Sequence, residues 1–406
     1  MAMQLVIRRR PLPSSIFFWG LGILLALGWL PRLLRISDAD TLLDIVFAAT
    51  AISVFLRGWI RRTNLIWFAG VVVYTAIGAT LAVVLRGANL YDFLLAYKFC
   101  WYVALLFLAS ARPLLDEASL DRLLSFSLLM FGLIYLGKFA TGDGRPTFFT
   151  ENNFELLLLC LLYFATHVAH GKSKPWHTAA LLALSVISGS RSGAALAAVT
   201  VLFTFDMSRI RRASTWALLA LGAAGAAGAY YVFATRSGAG GLEETDRYRF
   251  FLNFLRATEG WGTADYLFGA DRISPLPEYI CDQLVFYGRL FSYSGDGSCY
   301  SVILHSFNLR ILYDHGVLVT AALCIAIWRI LGPCSFKQKA CVVLLLFMNG
   351  MSVSSLNSVY AALGILLVAS AGAMRLGKAG LPADGLKSSS ARVPSYERLA
   401  QGPDRR

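Results

Sequence analysis

Leu304-His305-Ser306-Phe307-Asn308-Leu309-Arg310-Ile311-Leu312-Tyr313-Asp314-His315-Gly316-Val317-Leu318-Val319 is where two chemically different parts of the chain meet. Before it lies a polar stretch from Thr235 to Leu304, rich in Arg, Asp, Gly and Tyr, and after it an apolar run from Leu312 to Leu331. Bilayer hydrocarbon cannot satisfy the backbone and charges of the first part, whereas about 20 apolar residues is the length that crosses it. The junction reads as the point where a watered outer loop enters a membrane.

Composition extends that reading to the whole chain. Of 406 residues, 57% are hydrophobic and 15% charged, against roughly 25% charged in an ordinary soluble domain. The fold class this leaves is an all-α, polytopic membrane protein. Counting apolar runs gives about twelve transmembrane helices. Six lie near Ser15–Leu34, Thr41–Leu56, Asn64–Leu85, Leu90–Ala111, Leu120–Gly137 and Phe154–Ala169. The rest lie near His177–Ser190, Ser192–Asp206, Ser214–Phe233, Leu312–Leu331, Ala340–Ser355 and Ser358–Arg375. The expected organisation is an integral membrane domain over 1–376, which includes one large, partly helical periplasmic loop at 235–304. A disordered cytoplasmic tail over 377–406 follows, too polar to build a core. The first run has the basic start of a signal peptide, but Pro31-Arg32 follows it instead of a small-residue cleavage site, so it is expected to stay attached.

Cytoplasmic loops carry the excess of Lys and Arg. Arg8–Arg10 precede the first run; Arg57, Arg61 and Arg62 follow the second; Arg112 and Arg122 flank the fourth connection. Lys172 and Lys174, then Arg209, Arg211 and Arg212, then Arg329, Lys337 and Lys339, and finally Arg375 and Lys378 follow later even-numbered runs. Both termini are therefore expected in the cytoplasm, with 140–153, the turn around Arg191 and the large loop outside. The net charge of +13 reads as an insertion signal and an attraction to anionic lipid, not as a nucleic-acid footprint.

Of seven cysteines, Cys281 and Cys299 alone fall in the outer loop. In an oxidising compartment they would form a disulfide just before His305; two free thiols is the alternative. No metal-ligand spacing and no phosphate-cradling glycine pattern stands out, and no cofactor is expected. The outer side instead holds arginines, among them Arg145, Arg191, Arg247, Arg249, Arg256, Arg272 and Arg289. Guanidinium forks fit phosphate oxygens bidentately, so an anionic, pyrophosphate-linked lipid is the natural ligand. For most of these arginines a solvated charge or a local ion pair is the better account; Arg191 and Arg249 rise above it. Arg191, in the tight turn Ser188-Gly189-Ser190-Arg191-Ser192-Gly193, is costly at membrane depth unless it is used.

His305-Ser306, nine residues and then Gly316-Val317-Leu318-Val319 resembles the His-(Asn/Ser/Gln)-x9-Gly-x-x-(Gly/Thr/Val) signature of bacterial O-antigen ligases and polymerases. Arg249, ten residues and Gly260 is similar to the Arg-x10-Gly pattern in the large periplasmic loop of O-antigen polymerases. The Arg191 turn also looks like that superfamily, and the resemblance in layout covers about residues 140–355. It implies transfer of an oligosaccharide from an undecaprenyl-pyrophosphate donor to an acceptor hydroxyl, with inversion and without metal or nucleotide. The partners it implies are the lipid-linked donor and acceptor, the bilayer and a chain-length regulator protein. The location it implies is the bacterial inner membrane.

Under that resemblance His305 accepts the proton of the attacking hydroxyl, since imidazole titrates near working pH. Arg191 and Arg249 clamp the pyrophosphate, with Arg247 the alternative for the second place. Arg145, Asn152, Lys98 and Arg310 complete the set expected to contact substrate. For Lys98, pairing with Asp44 or Asp92 is the competing account; for the Glu151-Asn152-Asn153 run it is capping of the following helix. A helix is expected from Glu244 to Gly260, with Phe250, Phe251, Phe254 and Leu255 on one face, and Leu304 to Asp314 is expected to run helically into the next span. An O-antigen polymerase is expected before a ligase that delivers glycan to the lipid A core. A lipid-linked oligosaccharide flippase comes last, because no repeated halves are visible.

Overall fold

A computed structural model describes residues 11–27, 39–57, 60–110, 112–142, 144–205, 246–271 and 273–378. Among them there is no strand, and the fold is all-α. The first half runs α1 (Leu12–Leu27), α2 (Ala39–Leu56), α3 (Arg62–Ala79, extended by a π-helical stretch Thr80–Leu85), α4 (Leu90–Ala96), α5 (Lys98–Ala109), α6 (Glu117–Ala140) and α7 (Asn152–His170). The second half runs α8 (Pro175–Ile187), α9 (Arg191–Thr204), α10 (Asp246–Ala257), α11 (Thr263–Phe268), α12 (Glu278–Gln283), α13 (Phe307–Ile330), α14 (Phe336–Gly350) and α15 (Val359–Lys378).

Each apolar run read from the sequence overlaps a helix, apart from Ser214–Phe233. That run lies outside the described residues, as do 235–245 of the large loop and the tail from 379. Five helices are long and apolar enough to cross a membrane: α3 with its extension, α6, α7, α13 and α15. The pair α4 and α5, bent by 55° at Tyr97, makes a sixth if taken as one span. Helices α1, α8 and α9 are apolar but shorter, and α14 has 15 residues. At 1.5 Å per residue such a helix covers only about 22 Å of a hydrocarbon layer about 30 Å thick. The count of twelve is finer than these helices carry.

Helices α7 and α15 form the centre and are buried around most of their circumference. Small residues on α15, including Ala361, Ala362, Gly364 and Ala369, let the two backbones approach; a Cβ at Gly364 would overlap the side chain of Leu161. At the periphery the pattern inverts. On α3, Ile66, Val73, Val84 and Leu85 are 67%, 56%, 74% and 69% exposed. A contiguous apolar face of that kind is unfavourable in water by about 25 cal/mol per Å2 and suits a lipid surface.

The helices also sort their polar groups by end. At one end Lys174 pairs with Asp121 at 2.6 Å and Lys378 with Glu117 at 2.7 Å, so the connection after α7 and the end of α15 meet the start of α6. The other end carries the connections before α7, before α9 and before α13.

Two expectations for the junction are corrected. Helix does not run through Leu304: a 3-10 turn covers Ser301–Leu304, His305 follows with a left-handed backbone, and α13 starts at Phe307 behind the N-cap Ser306. Moreover α13 is broken at Gly316 (φ 70°, ψ −176°), where Gly269 (φ 82°) crosses it. Ala270 N donates to Tyr313 O at 2.7 Å, and a Cβ on either glycine would strike the backbone of the other segment. No side chain fits there, and an L-residue adds a left-handed penalty of roughly 1–2 kcal/mol. Gly316→Ala should lower stability by about 3 kcal/mol in thermal unfolding of the detergent-solubilised protein. Gly132→Ala, with open space around it on α6, is the control and should leave the melting temperature unchanged or raised.

Candidate functional site

The site is built from the start of α7 outwards. Glu155 is fully buried there and accepts four hydrogen bonds: from the Tyr135 hydroxyl at 2.7 Å and from the main-chain N–H groups of Phe148, Phe149 and Thr150 at 2.8, 2.6 and 3.0 Å. A buried carboxyl needs that many donors, and meeting them fixes the connection that carries Arg145. Beside it, Tyr360 donates to Asp40 Oδ1 at 2.6 Å and Thr150 donates to the same oxygen.

Asn153 ties the next piece on. Its Oδ1 accepts from the hydroxyls of Ser190 and of Ser192, the latter at 2.8 Å, and its Nδ2 donates to Glu151 at 2.7 Å. Ser190 in turn caps α9 by accepting from Gly193 N at 2.9 Å. Asn152 Nδ2 donates to Ser188 O at 2.9 Å. Arg191, half-buried in the first turn of α9, is therefore fastened on both sides to the α7 start.

The same asparagine reaches toward His305. Asn349 Nδ2 donates to Asn153 O at 3.2 Å, and the neighbouring Gly350 O accepts from Ser306 Oγ at 2.9 Å. Phe307 N donates to Val353 O at 3.1 Å, which holds the entry to α13 against the end of α14. His305 has φ 52°, and its half-buried ring lies 5.5 Å from that of Phe250 on α10 and 5.2 Å from that of Tyr287. A residue other than glycine in this region costs about 1 kcal/mol and persists only where its surroundings hold it.

Electrostatics add two more arginines. Burial pushes the Glu151 carboxyl above its ordinary value, opposed by the hydrogen bond from Asn153 and by the charges of Arg247 and Arg145, with Asp40 adding to the rise. Arg145, Arg247 and the Arg191 turn thus share the neighbourhood of Glu151. Arg249 does not follow them. Two residues from Arg247, it lies about 200° further around α10 and lines a separate cavity. Of the two arginines expected for the second place, Arg247 is therefore the one beside Glu151, and Arg249 lines another cavity.

Three expected substrate contacts are engaged with partners in the protein. Lys98 pairs with Asp44 at 2.9 Å, and the Tyr102 hydroxyl donates to the same carboxylate at 2.7 Å. Asp92 instead accepts from Ser292 at 2.7 Å. Arg310 is buried, donating to Ser354 Oγ at 3.0 Å one helical turn from Asp314. Asn152 is the buried link to Ser188 already described. Cys281 and Cys299 are joined by a disulfide that closes the connection between α12 and the 3-10 turn before His305. Sequence reading passed over Glu155, Asp40 and Asn349. The signal for Glu155 was an acid in the first turn of an otherwise apolar run.

No model of a known family matches the chain, and no curated protein matches it either.

Two outcomes follow from this geometry. Glu155→Ala leaves three main-chain donors unsatisfied and should cost 3 kcal/mol or more, on the order of 1–3 for each group, with faster hydrogen exchange at Phe148, Phe149 and Thr150. Anion binding here should strengthen as pH falls, because protonating Glu151 removes a negative charge beside Arg145 and Arg247. Sulfate, whose charge is constant over the range, is the probe; Glu151→Gln should bind it more tightly and flatten the pH dependence.

Proposed function

We propose that the protein is an O-antigen polymerase: a glycosyltransferase that moves an undecaprenyl-pyrophosphate-linked glycan onto the hydroxyl of a second lipid-linked repeat unit. One observation carries the reading. Three of the positions named from the sequence, Arg145, Arg191 and His305, arise from distant connections, yet a single path of hydrogen bonds and chain through Glu151, Asn153, Asn349, Gly350 and Ser306 links their surroundings at one end of the bundle. Cation-rich, with one imidazole and partly open to solvent, that end has the groups a pyrophosphate-leaving transfer needs.

In this reading His305 takes the proton from the acceptor hydroxyl as its oxygen attacks the anomeric carbon of the donor. The bond from that carbon to the pyrophosphate oxygen breaks on the opposite face, which inverts the centre and releases undecaprenyl pyrophosphate. Arg191 and Arg247, with Arg145 beside them, take up the negative charge that grows on the leaving group. Pyrophosphate already leaves readily, so positioning and charge stabilisation carry most of the rate. The rest of the proposal is topological: twelve spans in a bacterial inner membrane, both termini cytoplasmic, the arginine end in the periplasm, and a chain-length regulator as partner.

A deletion strain tests the class. Single-repeat glycan on the lipid A core supports a polymerase; long lipid-linked chains left off the core indicate the alternative, a ligase; repeats trapped on the inner side indicate a flippase. Within the polymerase reading, Arg191→Lys keeps charge and loses the bidentate fork, so it should cut polymer yield at least ten-fold. His305→Ala should lower turnover by about 100-fold or more at unchanged expression. A normal product ladder from both variants would remove the assignment.

A further inference from the structure

The face of α10 that carries Arg249 opens on a cavity of about 520 Å3 that the mechanism leaves unused. This is within the range of roughly 300–1,000 Å3 found for small-ligand sites. Arg249, Asn253 and Arg256, spaced four and three residues apart, form one stripe of the helix, and Gln283, Phe286 and Tyr248 complete the wall. Phe250 and Arg247 lie on other faces of the same helix, toward His305 and Glu151.

Three features identify a ligand. First, Asn253 is only 4% exposed and lines the wall of the cavity. A carboxamide in that place offers a donor and an acceptor side by side. Second, two guanidinium groups share the cavity and, among the described residues, none that lines it is acidic and Arg249 makes no ion pair; Arg256 donates to Gln283 Oε1 at 3.2 Å. Third, Tyr248 and Phe286 present open ring surfaces at the rim, 37% and 62% exposed. Guanidinium forks match a planar carboxylate, amides match hydroxyls, and flat rings suit the face of a pyranose. A bare phosphate would use the guanidinium and amide groups and leave the two ring faces idle.

We propose that this cavity is a subsite for an acidic sugar, a carboxylate-bearing hexose ring within the glycan. The proposal rests on the glycosyltransferase reading only in taking the ligand to be a glycan. It places sugar recognition on one face of α10 and phosphate and proton chemistry on the others, so that a single short helix spaces the two along the substrate.

The full-length protein in lipid nanodiscs is titrated by calorimetry with cellobiuronic acid and with cellobiose, a pair that differs in one carboxylate. The acidic disaccharide should bind about ten-fold more tightly, and lose that margin in Arg249→Gln and in Arg256→Gln. Arg249→Lys should recover only part of it, and Asn253→Leu should weaken both sugars. Equal binding of the two disaccharides, indifference to both arginine substitutions, or full displacement by inorganic pyrophosphate at equal concentration would overturn the subsite. Arg191→Lys separates the two readings: it should bind cellobiuronic acid as the wild type does. If binding follows Arg249 and Arg256 while the Arg191 and His305 variants polymerise normally, the catalytic assignment falls and the subsite stands. If those variants are inactive and binding ignores Arg249 and Arg256, the subsite alone falls.

Discussion

A carboxyl group with no exposure to water has to collect its hydrogen bonds from whatever lies nearby, and around Glu155 those donors are one tyrosine hydroxyl and three consecutive main-chain N–H groups. That requirement decides the shape of the connection between α6 and α7, and through it the placement of Arg145 and Glu151. Two residues earlier, Asn153 imposes the same discipline on the turn that bears Arg191 and on the end of α14. Inside a low-dielectric bundle such polar contacts are strong when complete and expensive when broken. The arginine-rich end is therefore rigid where it meets the helices, even though the guanidinium groups of Arg145 and Arg247 reach into solvent.

The outer layer is anchored in two ways. A disulfide holds Cys281 to Cys299, and the crossing of Gly269 over Gly316 fixes the segment around α11 to α13. Between these anchors sits α10, whose Phe250 meets His305. The left-handed backbone at His305 fits this setting: it ends a 3-10 turn, lets Ser306 cap α13, and sets the imidazole between two aromatic rings. Both glycines of the sequence signatures acquire a backbone reason as well, with Gly260 at φ 85° in the turn after α10 and Gly316 at the crossing. Part of the spacing in those signatures therefore measures chain geometry.

The sequence made the helices legible because a lipid-facing surface demands long apolar runs, and those runs survive any uncertainty about packing. It also separated the polar junction at His305 from the spans. Three things were hidden. A break at Gly316 looks in sequence like one more glycine in an apolar run, because the partner that forces it, Gly269, is 47 positions earlier. The choice between Arg247 and Arg249 depends on which way α10 is turned, and its apolar face fixes this only once Phe250 has a neighbour. Asn152 and Arg310 carry chemistry that suits a substrate, but partners distant in sequence, Ser188 and Ser354, claim their side chains, whereas the Asp44 partner of Lys98 was already among those the sequence offered.

The interruption of α13 divides a long rod into two short ones, Phe307 to His315 beside the polar end and Val317 to Ile330 below it. Bilayers differ in thickness, and a helix answers by changing its tilt. Because the break sits between the two pieces, they need not share one axis: the upper piece takes its direction from Ser306 and the Gly269 crossing, apart from the lipid-length piece below.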